Sequence, residues 1–453
     1  MKTSAMMATR RAVLGAVTLA AVGLAGCSTL SSLAFWKNSE NKSIASKGER
    51  IPILAAEDQL NVSDALKGQS FYLPDAQPQA DWPLPGGTPE QSVEHVSAAP
   101  DFKVAWRRGL GVSGMPRAHF VTAPPIEADG LVYAMDGQAG VSAHNAQTGE
   151  QVWRVNLANR SGRDRDGFGG GLAYADGRVF VSSGYRFVAA LDAHNGRTVW
   201  KAATDAPVHA APTVSGGRVF VVSLDDQLYS FDSQTGAPGW NYQAIIEPAR
   251  MLAASSPAIS GDEVITTFAS GEVIAKRAEN GNDLWNQALS RSNRNSALSE
   301  IWDIAGRPVV YKGDVYAASH SGVFAAIDLR TGTPRWTLPV ASFTTPWASG
   351  DVVYIVSQTG QLICVSRESG GVYWIIDLNA KKTGKNAAYW FGPVLADSRL
   401  ILTSSKGDIE ARDPKTGVLI KTLRTGAPMM QPPIAAGGML YLVNEKAELL
   451  AIR

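Results

Sequence analysis

The sequence predicts an all-β protein, an eight-bladed β-propeller of four-stranded blades, and three observations carry that prediction. A twelve-residue phrase returns seven times, the chain is rich in Gly (44) and Trp (12), and unpaired strands are left over at both ends of the repeat array. The phrase reads SAHNAQTGEQVW (142–153), AALDAHNGRTVW (189–200), YSFDSQTGAPGW (229–240), IAKRAENGNDLW (274–285), AAIDLRTGTPRW (325–336), ICVSRESGGVYW (363–374) and, degraded, IEARDPKTGVLI (409–420). Its glycines stand at 149, 196, 236, 281, 332, 370 and 417, in steps of 38 to 51 residues. A period in that range marks propellers and solenoids.

Taken in chain order, the first element is a leader. Arg10 and Arg11 precede an apolar run, Ala12 to Val22, and small residues end at Cys27. This is the pattern of a signal peptide over 1–26, and the run is short and glycine-broken for a bilayer span. Leu24-Ala25-Gly26-Cys27 resembles the lipobox of bacterial lipoproteins, which implies lipidation at Cys27 and anchoring without spanning. Ser28 after the cysteine implies the outer membrane. Thr9-Arg10-Arg11 only partly matches a twin-arginine signal, so general secretion is expected. Residues 27–100 carry Pro, Gly, Ser and charge without sustained periodicity and read as a lipidated tether and an extended arm that packs along the globular part. Its short apolar pieces, IPIL and FYLP, are expected to dock there.

From 101 to 453 the repeat takes over. Each unit adds an earlier alternating strand, such as RVFVSS (178–183) or DVVYIVS (351–357), whose period of two gives it a core face. Within the phrase, Asp328 is expected to cap the turn, Gly332 to take the positive φ that reverses the chain, and Trp336 to fill the wedge between neighbouring sheets. The cap is Asp at 192, 232 and 328 and is read as substituted at Asn145, Arg277, Ser366 and Arg412; the last position is Trp in six copies and Ile420 in the seventh. MLYLVNEKAELLAIR at the end lacks a final strand, and FKVAWRRGLG near the start supplies one, with Trp106 lying 47 residues before Trp153. Joining them closes the ring and removes the open edges.

The chemistry-bearing residues are sparse. With 42 Lys plus Arg against 41 Asp plus Glu, the net charge is +1 and no global field recruits nucleic acid. The six His show no metal-ligand spacing, and Cys364, in an alternating strand, reads as a small buried hydrophobe. RSGRDRDGFGGG (160–171) lacks the spacing of a phosphate-cradling loop and reads as a solvated rim loop.

The unit VYAASHSGVFAAIDLRTGTPRW resembles the repeat of pyrroloquinoline quinone (PQQ) enzymes, which implies PQQ-like blades. Eight such units behind a lipobox resemble the BamB family of outer-membrane lipoproteins. The resemblance covers about 100–453, and the arm looks like the longer proteobacterial versions. It implies a non-enzymatic scaffold of the β-barrel assembly machinery, without a cofactor, facing the periplasm from the outer membrane. The implied partners are the POTRA domains of a BamA-like barrel subunit, other lipoproteins of the machinery, unfolded outer-membrane proteins, and the membrane through the lipid. EPARMLAASSPAIS matches the family's arginine loop, placing Arg250 in the contact, followed by Met251 and Leu252; SALSEIWDIAGRPVV matches its acidic loop, placing Asp303. The apolar residues expected before the arginine are instead Glu247 and Ala249. Trp302 fits either a rim anchor or a plug in the local core. Two other classes remain on this scaffold: a PQQ-dependent dehydrogenase-like enzyme, against which stands the lack of a Cys-Cys pair or an acidic ligand cluster, and a ligand-binding surface propeller.

Overall fold

The computed structural model describes residues 60–111, 123–159, 162–164, 167–247, 255–289, 303–380 and 384–453. Cys27 and the piece IPIL lie outside them. Among the described residues there are eight antiparallel sheets of four strands and no α-helix. Blades 1 to 7 are continuous in sequence, spanning 126–156, 170–203, 213–243, 258–288, 309–338, 347–377 and 390–424. Blade 8 joins three strands from 434–452 to Val104–Gly109, with Trp106 opposite Ala451. The ring is therefore closed by the two ends of the array, as the leftover strands predicted. First strands of successive blades touch one another around the axis, so each blade runs outward from its first strand to its fourth.

The repeated phrase is an inter-blade staple. Each phrase glycine has φ between 70° and 77°, a region that costs other L-residues about 1–2 kcal/mol. A Cβ there would also sit 2.5–2.8 Å from the indole of the preceding blade's Trp. Two constraints, backbone and packing, thus fall on one atom, and only Gly meets both. The same indoles donate their N–H to a carbonyl of the next blade: Trp106 to Ala146, Trp153 to Ala193, Trp200 to Ser233, Trp240 to Ala278, Trp285 to Leu329 and Trp336 to Arg367, at 2.6–3.1 Å. Trp374 is the exception. Its N–H has no partner, and the Pro414 carbonyl at the corresponding position accepts instead from the Tyr354 hydroxyl at 2.9 Å.

Register corrects two readings of the seventh phrase. The cap is Asp413, whose Oδ1 accepts the N–H groups of Lys415 and Thr416, as Asp328 accepts that of Thr331. Arg412 is one place earlier, buried, paired with Glu410 and donating to the Gly417 carbonyl. Likewise Trp336 faces Ala326, whereas in blade 7 it is Lys421 that faces Ala411. Lys421 therefore holds the tryptophan position, and it donates to the carbonyl of Asp101, just ahead of the outer strand of blade 8, at 3.0 Å. Ile420 is an exposed neighbour (54 %). Asn145 caps as Asp does, while Arg277 pairs with Asp262 across the adjoining turn.

The arm from Leu60 onward adds to this frame without belonging to any sheet. Ser63 bonds the edge of blade 6 at Val372, and Phe71 of FYLP is buried against blades 6 and 7. Residues 77–99 then make a circuit of the axis on the side of the first-to-second-strand turns. Gln79 accepts from Gly437 (blade 8), Trp82 exchanges both main-chain bonds with Glu127 (blade 1), and Pro83 accepts from Tyr174 (blade 2). Gln91 donates to Thr213 (blade 3), Pro89 accepts from Ile259 (blade 4) and Glu90 from Val310 (blade 5). Glu94 accepts from the Trp347 indole (blade 6), Val96 bonds Leu395 and Asp397 (blade 7), and Ala99 returns to Gly438 (blade 8). One segment touches all eight blades and fills the turn-side mouth.

Candidate functional site

Residues 77–99 occupy the turn side; the opposite side, where each outer strand crosses to the next inner strand, carries the longer connections. Loops at the rim of a rigid scaffold are the usual place for binding residues. Two of these crossings carry the residues singled out from sequence: the one between blades 3 and 4 (244–257) and the one between blades 4 and 5 (289–308). Arg250, Met251, Leu252 and Trp302 lie outside the described residues.

What is described is the base of both crossings, and it is shared. The Ser255 hydroxyl donates to the Gly306 carbonyl at 3.3 Å, and Thr267 of blade 4 donates to the Ile304 carbonyl at 3.3 Å. Ser255 and Ser256 are buried. Asp303, expected at the contact, is 4 % exposed, and its carbonyl accepts the His320 N–H at 2.9 Å. In this arrangement it anchors the root of its loop. Arg307 follows, its backbone N–H bonded to the Thr345 hydroxyl and its Nε without a partner; burial lowers its guanidinium to about 10. Burial likewise lowers the His320 imidazole, which holds it neutral at physiological pH.

Sequence reading missed an apolar pair. Ile245 and Ile246, just ahead of Glu247, are 62 % and 59 % exposed. They supply the aliphatics expected at Glu247 and Ala249, two and three places earlier in the chain. The signal was present as two adjacent isoleucines after the end of an outer strand. Elsewhere on the same side Phe343, Tyr389 and Phe391 cluster with ring centroids 5.7 and 6.2 Å apart, Tyr389 being exposed. Cys364 is fully buried, and burial pushes its thiol well up, so it is inert as a nucleophile. Chemically the described surface offers apolar contact and hydrogen bonding. Among the described residues no group of three or more His, Cys, Asp or Glu is placed to hold a metal.

Comparison with known proteins fits this geometry. Residues 137–376 match the family model described as outer membrane protein assembly factor BamB. The outer membrane protein assembly factor BamB of Burkholderia pseudomallei is 23 % identical over 359 residues, covering 78 % of this chain and 88 % of the relative. The crystal structure of BamB from Moraxella catarrhalis superposes with a TM-score of 0.65 at 18 % identity, covering 77 % of this chain and 99 % of that one. A quinohemoprotein alcohol dehydrogenase from Pseudomonas putida HK5 superposes with a TM-score of 0.63 at 13 % identity, covering 82 % and 80 %. The structural likenesses show the shared ring and nothing finer. The family is set by the sequence match: the chain belongs to the family of the outer membrane protein assembly factor BamB.

Proposed function

We propose that this chain is a non-enzymatic scaffold lipoprotein of the β-barrel assembly machinery, anchored in the outer membrane through Cys27 and facing the periplasm. Its crossing loops between blades 3, 4 and 5 bind the POTRA domains of a BamA-like barrel subunit and so assist the folding and insertion of outer-membrane β-barrel proteins. The observation that carries this reading is the exposed Ile245–Ile246 pair at the root of the Arg250 loop, on a base tied to the Asp303 crossing. Apolar anchors beside an arginine are the composition of an interface hot spot. The stapled ring beneath holds them still, which lowers the ordering cost of binding. Asp303 supports the loop from within, and Arg250, Met251, Leu252 and Trp302 complete the contact.

The test is co-purification of a POTRA-bearing barrel protein with the tagged chain from gently solubilised outer membranes. Arg250→Glu and Ile246→Asp are expected to lose the partner while melting as the unaltered chain does. Normal recovery with both variants contradicts the site. For the anchor, Cys27→Ser should release the protein from the membrane fraction, and retention there contradicts lipidation.

A further inference from the structure

We propose that the turn-side mouth of the ring is a binding site for an extended, proline-rich peptide, and that residues 77–99 are its resident ligand, held in cis. The segment behaves as a ligand and not as a strand. It joins none of the eight sheets and forms only single-residue bridges, at Gln77, Trp82 and Val96. Its flanks, 67–70 and 100–101, are exposed; between the first flank and the circuit, Phe71 is buried against blades 6 and 7 and Tyr72 bonds Asp351, so these contacts hold the segment together with the circuit.

The chemistry of the mouth selects this ligand class. The inner-strand ends and turns present backbone donors inward, those of Tyr174, Ile259, Val310 and Gly437, and each finds a carbonyl of the segment. A backbone rich in acceptors and poor in donors fits such a ring, and proline supplies that by lacking an N–H and favouring extended conformations. Pro78, Pro83, Pro85 and Pro89 fall in the segment, and two of the accepting carbonyls are those of Pro83 and Pro89. Trp82 provides the side-chain anchor. It is 1 % exposed, bonds the Pro85 carbonyl through its indole and stacks on Trp347 of blade 6 at 6.4 Å.

The grip on blade 1 is set against charge. Trp82 pairs with Glu127, which is 2 % exposed with Oε2 unpartnered. Asp81 from the segment and Asp129 from the turn lie beside it; Tyr133 of blade 1, Tyr174 of blade 2 and Tyr441 of blade 8 act on the same cluster. Among the described residues no Lys or Arg forms an ion pair with any of the three carboxylates. Burial first, and Asp81 second, push the Glu127 carboxyl up to about 7. Its proton is held while the segment is seated, so seating weakens as pH rises through that value.

The experiment uses the full chain with protease recognition sequences inserted after Gly68 and after Pro100, cut while folded and passed over a sizing column. The segment is expected to co-elute with the ring at pH 6 and to dissociate roughly tenfold more readily at pH 8. Glu127→Gln should abolish the pH difference. Once the segment is washed out, a labelled synthetic peptide of residues 74–100 should bind the emptied ring saturably, and the same peptide with Trp82→Ala should bind at least tenfold more weakly. Separation at pH 6, refusal of the synthetic peptide, or unfolding of the ring on cleavage would overturn the ligand assignment. Retention independent of pH in the unaltered chain would overturn the role of Glu127.

Discussion

The two sides of the ring are built on opposite plans. On the turn side seven Thr-Gly-type turns lock against neighbouring blades, and residues 77–99 tie the mouth shut. On the crossing side the connections lengthen, Ile245 and Ile246 are presented to solvent, and Ser255 and Asp303 fix only the loop roots. The difference teaches where stability is concentrated, on one side, which leaves the other free to vary as the proposed recognition role requires. Substitutions should therefore sort cleanly, the turn side moving the melting temperature and the crossing side moving partner binding.

The largest effect expected is on the turn side. Trp336→Ala removes a side chain that is 9 % exposed together with its bond to Arg367, and should cost about 3–5 kcal/mol in thermal or denaturant unfolding. Gly332→Ala follows, at about 2–4 kcal/mol, because a Cβ would meet Trp285 at 2.7 Å and φ is 71°. A wild-type melting curve for either would break the comparison at its root. On the crossing side, Ile246→Asp should leave unfolding within about 0.5 kcal/mol yet weaken the partner by about 2 kcal/mol, roughly thirtyfold, in a direct titration.

A pH series sharpens the contrast further, because each side holds a carboxyl that burial raises to about 7, Glu127 on the turn side and Glu445 on the other. A carboxyl raised on folding binds its proton more tightly in the native state, so stability falls as pH rises from the ordinary carboxylate range through about 7. Glu127→Gln and Glu445→Gln should each flatten the fall in melting temperature between pH 5 and pH 8, and only the first should also change retention of residues 77–99. The smallest effect concerns single hydrogen bonds: Trp336→Phe forfeits one worth about 1 kcal/mol, whereas Trp374→Phe forfeits none and should be milder by that amount.

How far the sequence could be read follows from the range of the interactions. Gly332 and Trp336 were legible because the staple repeats, and repetition exposes a role without any partner being known. Asp413 and Lys421 are obscured by the residues one place before them, Arg412 and Ile420, the latter ending the phrase on an apolar side chain; counting four places either way from Gly417 gives both directly. The circuit of residues 77–99 left no periodic trace, since each of its bonds goes to a different blade and its conformation is set by eight distant partners. Glu127 reads like any strand residue, its perturbation arising first from burial and second from Asp81 of the segment. At the site, Arg250 and Asp303 came from family likeness and Ile245–Ile246 from exposure, which a sequence pattern does not report.

The central claim, stability on one side and recognition on the other, is tested most directly by one co-purification series from outer membranes. Chains bearing Ile246→Asp, Arg250→Glu or Gly332→Ala are compared for recovery of a POTRA-bearing barrel protein per folded molecule. The account predicts loss with the first two and near-normal recovery with the third despite its lower melting temperature. Full recovery with Ile246→Asp and Arg250→Glu, or selective loss with Gly332→Ala, would contradict it.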